Sequence, residues 1–329
     1  MHEEQHWKPR KVVVVGAGAV GSTFAYSLAQ AGLADEIALI DENRRFAEGQ
    51  VLDLLHGQPF YPTLNIHVGE PRDYADAQVI VVTAGAKQRP GQSRLDLLRE
   101  NAAIVERIVG DITEQGSEAV LILVTNPVDV LTYVAAKKAG WERGRVIGSG
   151  TVLDSARLRH LLSQQCEVDV HNVHAYVLGE HGDSEFAAWS LTHIAGMPVY
   201  DYCAICRKCS DWAEKRGEIE RAVRDSAYHV IDYKGSTHFA VGLALVRIVG
   251  SILRSQRSVL TVSTMLNGEY GLTDVCLSVP CVISGRGIVR VVESELSKDE
   301  RVSLSRSADV LKKSLAVFDS KTTMHPRSS

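Results

Sequence analysis

Lys11-Val12-Val13-Val14-Val15-Gly16-Ala17-Gly18-Ala19-Val20-Gly21 joins a short apolar run to a glycine-rich turn. Four consecutive valines are the length of a strand buried on both faces. The glycines then follow a G-x-G-x-x-G spacing and open a helical pattern that reaches Gly32. Gly16 permits the tight turn, Gly18 lets backbone approach a pyrophosphate, and Gly21 lets helix pack on strand. The N–H groups at the helix start are then free to meet phosphate oxygens. Twenty residues beyond Gly21, the strand-like Glu36–Ile40 ends in Asp41. An acid there accepts hydrogen bonds from a ribose diol and repels a 2′-phosphate, so the pattern predicts a dinucleotide site that favours NAD over NADP.

Outward from this stretch, apolar runs alternate with helical patterns. Strand candidates are 65–68, 78–83, 119–125 and 145–148, with helices over 42–56 and 94–114. This rhythm predicts an α/β fold, a Rossmann doubly wound parallel sheet over residues 11–149. After Gly150 the rhythm changes. Helices are expected over 153–166, 211–232, 238–254 and 297–318, a strand over 173–178, and a hairpin from 259–266 and 275–283. Residues 150–320 therefore read as an α+β catalytic domain. Residues 1–10 read as a polar tail and 321–329 as a frayed one.

A net charge of −4 gives no general attraction for nucleic acid or an anionic membrane. No stretch approaches the ~18 uninterrupted apolar residues of a membrane helix, and the first ten residues hold no apolar run. A cytoplasmic location is expected, with the six cysteines reduced. Cys203, Cys206 and Cys209 would spread over about 120° of a helix, and no His or Cys follows at ligand spacing. They are expected to pack as small apolar groups and to bind no metal.

Three clusters carry chemistry. In Leu153-Asp154-Ser155-Ala156-Arg157-Leu158-Arg159, Asp154 and Arg157 share a helix face, and Arg159 points elsewhere. Gly179-Glu180-His181-Gly182-Asp183-Ser184 ends an apolar run. Gly85-Ala86-Lys87-Gln88-Arg89-Pro90-Gly91-Gln92-Ser93-Arg94 has the composition of a mobile loop with arginine near its far end. Each alone is ordinary: a surface ion pair, a loop histidine, a solvated loop. After a dinucleotide fold they combine.

Together with Thr83–Ala86, Thr125-Asn126-Pro127-Val128-Asp129, 172–184 and Lys234-Gly235-Ser236-Thr237, these stretches resemble the lactate/malate dehydrogenase family over essentially the whole length, most closely its bacterial L-lactate branch. The resemblance implies that His181 exchanges a proton with the substrate oxygen while hydride moves to or from the nicotinamide. It implies that Asp154 holds the imidazole, Arg157 clamps the substrate carboxylate, and Arg94 closes with its loop to polarise the carbonyl. Asn126 would hydrogen-bond the reacting oxygen and Thr237 would line the pocket. Gly16, Gly18, Val20, Gly21, Asp41, Gly85, Ala86, Val124, Asn126 and Ser149 match cofactor positions.

Within the family, an arginine in the loop pairs with the second carboxylate of malate or oxaloacetate. Here Gln88 stands at that position, followed by Arg89, which is read as solvated. Burying a carboxylate without its charge partner costs several kcal/mol, so pyruvate and L-lactate are the expected pair, with malate dehydrogenase the alternative. The resemblance also implies that Arg159 and His174 bind fructose 1,6-bisphosphate at a subunit interface, and that the chain forms a homotetramer. A glycosidase relative of similar fold would need metal ligands that are not evident. A recruited protein that has lost the chemistry would not keep Asp154, Arg157 and His181 together.

Overall fold

The computed structural model describes residues 9–87, 89, 91–206 and 211–322, the last six of these by backbone alone. Gln88, Pro90, Cys209 and the extreme tails lie outside the described residues.

The first half alternates strand and helix: β1 (Lys11–Val15), α1 (Ala19–Ala31), β2 (Glu36–Ile40), α2 (Arg44–His56), β3 (Asn65–Val68), β4 (Val79–Val82), α3 (Arg94–Glu114), β5 (Val120–Leu123), α4 (Val128–Ala139) and β6 (Val146–Gly148). These six strands are parallel, in the order β3-β2-β1-β4-β5-β6, which is the dinucleotide-binding arrangement. β1, β4 and β5 are buried along their whole length, which explains their unbroken valine, leucine and isoleucine runs. Helices cover both faces, so backbone groups pair inside the sheet and apolar side chains meet no water. Helix boundaries follow local chemistry: α2 starts where the Asn43 side chain accepts from Phe46 N, α3 where Ser93 accepts from Asp96 N.

The second half contains α5 (Val152–Cys166), β7 (Val173–His174), β8 (Val177–Leu178), β9 (Phe186–Ala187), β10 (His193–Ile194), β11 (Met197–Pro198), α6 (Val199–Cys206), α7 (Trp212–Lys234), α8 (Phe239–Leu253), β12 (Ser258–Asn267), β13 (Thr273–Ser284), β14 (Gly287–Val291) and α9 (Lys298–Thr322). The single strand expected over 173–178 is two short ones. β7 pairs with β10 and β8 with β9, so the chain changes sheets between them. The expected hairpin is present as β12 and β13, and it joins the first sheet, where Ser263 of β12 pairs antiparallel with Gly148 of β6. The expected parallel sheet is therefore one arm of a mixed, nine-stranded sheet that crosses residue 149. α9 continues through Lys321 and Thr322, which were expected to be frayed.

Most of the apolar core is shared between the halves; a smaller core is gathered beneath α5, α6 and α7 and includes Leu158, Leu162, Val173, Ile219 and Val223. The first core fixes the sheet ends that face the site. The second holds α5 at its far end.

Candidate active site

The positions expected to hold a cofactor fall in succession at carboxyl ends of parallel strands: Gly16 after β1, Asp41 after β2, Gly85 and Ala86 beyond β4, Val124 after β5 and Ser149 after β6. In open α/β sheets this edge forms the ligand crevice. Gly16 has φ +103°, and a Cβ there would stand 2.6 Å from Ala84 N. A Cβ on Gly21 would stand 1.8 Å from Gly16 O, so that position tolerates no side chain, whereas at Gly18 the space is open. The first intrahelical bond runs from Ser22 N to Gly18 O, which leaves the preceding N–H groups at the head of α1 without a helical acceptor. Open space over Gly18, with amides and the positive helix end beneath it, suits a pyrophosphate. Asp41 Oδ2 accepts from Ala17 N at 2.7 Å and Oδ1 from Asn43 N at 2.9 Å, which fixes the carboxylate beside the loop with lone pairs left for ribose hydroxyls. These residues fit NAD.

The second group is built by the first turn of α5 and the turn after β8. Gly179, with φ +97°, bridges to Ser278 in both directions and turns the chain outward. Glu180 N then donates to Ser307 Oγ, and His181 N donates to Asp129 Oδ2 at 2.7 Å. Two successive amides of the turn are thereby anchored. His181 Nδ1 lies 2.7 Å from Asp154 Oδ2, and Arg157 Nη1 donates to Asp154 Oδ1 at 2.6 Å. One carboxylate thus holds an imidazole and a guanidinium side by side. Because a carboxylate only accepts, Nδ1 carries a proton and Nε2 is the edge left for exchange.

The Asp154 side chain is 2% exposed and that of His181 25%. Burial alone would push His181 down, but Asp154 outweighs it and the imidazole is raised to about 9. Burial would raise Asp154; the charges of His181 and Arg157 prevail and hold it below the usual carboxylate range. Glu185, beside this group and almost fully buried, is pushed up to about 8 by burial and by the charge on Asp154. Asp129 is pushed up to about 6, again by burial. The arrangement keeps a protonated imidazole and a fixed cation next to one another at neutral pH, which suits a carbonyl compound that carries a carboxylate.

Residues 10–148 match the lactate/malate dehydrogenase NAD binding domain, and residues 151–321 the alpha/beta C-terminal domain of the same enzymes. The chain belongs to the lactate/malate dehydrogenase family. Similar proteins include the L-lactate dehydrogenase of Treponema denticola, 59% identical over 93% of this chain and 97% of its own, and that of Acetivibrio thermocellus, 46% identical over 94% and 98%. Among solved structures, a lactate dehydrogenase from a Medee basin deep-sea metagenome superposes with a TM-score of 0.92 at 41% identity, covering 95% of this chain and all of that one. The minor L-lactate dehydrogenase of Enterococcus mundtii, in its ligand-bound form, gives 0.91 at 38% identity, covering 94% and 98%. The chain is thus an NAD-dependent oxidoreductase of this family.

Other family positions are arranged less tightly. Arg94 is the first, exposed residue of α3, outside the Asp154–His181–Arg157 group. Its charge is nevertheless felt at Tyr228, whose hydroxyl donates to Asp183 in the His181 turn. Arg89 points to solvent and pairs with Glu100 at 2.7 Å, as a solvated residue should. Gln88 lies outside the described residues. Asn126, before a cis proline, accepts from Val128 N through Oδ1, which leaves its Nδ2 as a donor. Thr237 Oγ1 is buried and has no hydrogen-bond partner among the described residues.

Sequence reasoning missed Asn101, Asp129 and Glu185. Asn101 Oδ1 accepts from Ala86 N at 2.7 Å while its Nδ2 donates to Asn126 O at 3.0 Å, so one amide spans two loops of the site. A lone asparagine inside an apolar helix face carries no motif. Asp129 had a signal, since it sits in the Thr125–Asp129 match, but only the fold shows it receiving His181 N.

Arg159 and His174 line a cavity of about 540 Å³ between α5, α8 and β12, together with Arg247. Arg159 Nε donates to Val173 O at 2.8 Å and Nη2 to Val170 O at 3.3 Å, so it faces away from Asp154. The exposed apolar residues Phe239 and Leu243 of α8 stand near this cavity.

Proposed function

We propose that the chain is a cytoplasmic L-lactate dehydrogenase that interconverts pyruvate and L-lactate, with His181 as proton donor and acceptor. The observation that carries the reading is the single carboxylate of Asp154 holding both His181 and Arg157. Bound NAD supplies or takes up the hydride at the substrate carbon. His181, protonated at neutral pH, gives the Nε2 proton to the carbonyl oxygen of pyruvate and takes it back in the reverse direction. Asp154 fixes the tautomer and stabilises the imidazolium. Arg157 has one nitrogen on Asp154 and its remaining N–H groups for the substrate carboxylate. Asn126 Nδ2 donates to the reacting oxygen, and Thr237 contributes pocket wall. Arg94, on the loop end, swings in to polarise the carbonyl and exclude water.

Gln88 is the basis for pyruvate over oxaloacetate, since a neutral amide leaves a second carboxylate unpaired. The names of the similar proteins support the same choice. Arg159 and His174, with Arg247 beside them, form a basic wall suited to a phosphate group of fructose 1,6-bisphosphate, and the exposed α8 residues suit an interface between copies in a homotetramer. The test is NADH oxidation with pyruvate and with oxaloacetate, each with and without fructose 1,6-bisphosphate. Pyruvate should be preferred by at least ~100-fold in kcat/KM; no turnover of either acid sinks the reading. Arg159→Ala should abolish any activation by the sugar phosphate, and sedimentation should report the tetramer.

A further inference from the structure

We propose that Cys166, Cys203 and Cys206 form a binding site for a thiophilic d10 cation, of the Zn2+ or Cu+ class. Cys203 and Cys206 follow a Cys-x-x-Cys spacing on α6 and share its inner face. The third thiol comes from a different helix, since Cys166 is the last residue of α5, thirty-seven positions earlier in the chain. The three sulfur atoms all lie within 4.8 Å of one another. With metal–sulfur bonds of about 2.3 Å, a tetrahedral centre sets its sulfurs ~3.8 Å apart. A closure of about 1 Å lies within the reach of side-chain torsions. None of these cysteines forms a disulfide with another of the described cysteines.

Two features separate this cluster from ordinary packing. Packing alone asks for small apolar groups and is indifferent to which atoms converge. Here the convergence is sulfur on sulfur, from two elements. In addition, Cys166 is the last residue of α5, so the negative end of that helix lies at the thiols. That field favours a cation. Cys166 and Cys203 are buried and Cys206 is half-buried, which leaves one edge for entry. Three thiolates make a soft ligand set, which a d10 ion prefers to carboxylate or water.

The site lies at the opposite end of α5 from Asp154, ~18 Å along the helix. Its role is therefore to tie α5 to α6, and through α5 to hold the first turn in place; it takes no part in hydride or proton transfer.

The test uses the full-length, reduced, metal-free protein titrated with Cd2+ without oxygen. The expected result is a cadmium–thiolate ultraviolet band that saturates at one ion per chain, is displaced by Zn2+, and is lost in Cys166→Ala and Cys203→Ser, with circular dichroism confirming that both variants fold. A second measurement needs no variant: Zn2+ should slow alkylation of Cys206 at least tenfold, as mapped by mass spectrometry. No saturable band, a band indifferent to these substitutions, or unprotected Cys206 would overturn the proposal.

Discussion

Replacing Asp154 with asparagine keeps the shape of the side chain and removes the charge that sets His181. In the intact protein the imidazole is raised to about 9 by a carboxylate at 2.7 Å, against the downward push of burial. Without that charge it falls to its ordinary value of about 6.5 or lower, a change of roughly 2.5 units or about 3 kcal/mol. The sign follows from the reaction. With His181 as the proposed proton donor, pyruvate reduction should be supported below the folded pKa and lost as pH rises through about 9. At pH ~8 the protonated fraction would drop from about 90% to about 3%, a loss of roughly 30-fold from protonation alone. Loss of tautomer control and of the Arg157 partner adds to this. The assay is NADH absorbance with pyruvate over about pH 5.5–10, fitted for the alkaline limb of kcat/KM. The limb should move down by about two units. An Asp154→Asn enzyme whose alkaline limb stays where the parent's lies would refute the electrostatic argument, whatever its rate.

Gly21→Ala drives a methyl into Gly16 O, so the glycine loop must shift; NADH affinity by fluorescence titration should fall at least tenfold, and unchanged affinity would mean the loop is not the phosphate cradle. Lys11 is buried against Asp73 and Asp76 at 2.8 Å and Glu36 at 3.1 Å, and Lys11→Met would remove the cation those three carboxylates share. Urea unfolding should register a loss of about 3–5 kcal/mol, and a change below ~1 kcal/mol would contradict it. Asn101→Ala cuts the bridge between Ala86 N and Asn126 O; pyruvate kcat/KM should drop about tenfold for the two hydrogen bonds lost, with the fold intact by circular dichroism.

The nucleotide half was legible because its signals are local. The valine run, the glycine spacing and the acid after β2 can each be read within a stretch of a few residues, even though Asp41 reaches back to Ala17 N. α4 was not visible, although it is twelve residues long. It is buried on several sides, at Val128, Val130, Leu131, Val134 and Ala135, so the amphipathic period that marks a helix is weak. β14 was missed for a related reason: five residues on the outer edge of a sheet lack both a strong alternation and a buried run. In the site, Asp154 and Arg157 could be paired from helical spacing alone. Asn101 and Asp129 could not, because each acts on a residue 15 to 52 positions away, and only the folded chain sets those pairs side by side.

β12 meets β6 through Ser263 and Gly148, and this contact decides how the molecule can be divided. A cut near residue 149 would look natural, since the regions matching the two family domains meet there. It would instead tear a sheet along its length. The released first half would present β6 as a bare edge with unpaired N–H and C=O groups and its buried Val146 and Ile147 uncovered, a template for joining other chains. Separately expressed halves are therefore expected to precipitate unless produced together. The same continuity means that closure over a substrate is a matter of short segments swinging on a stiff platform, not of two lobes bending at a joint.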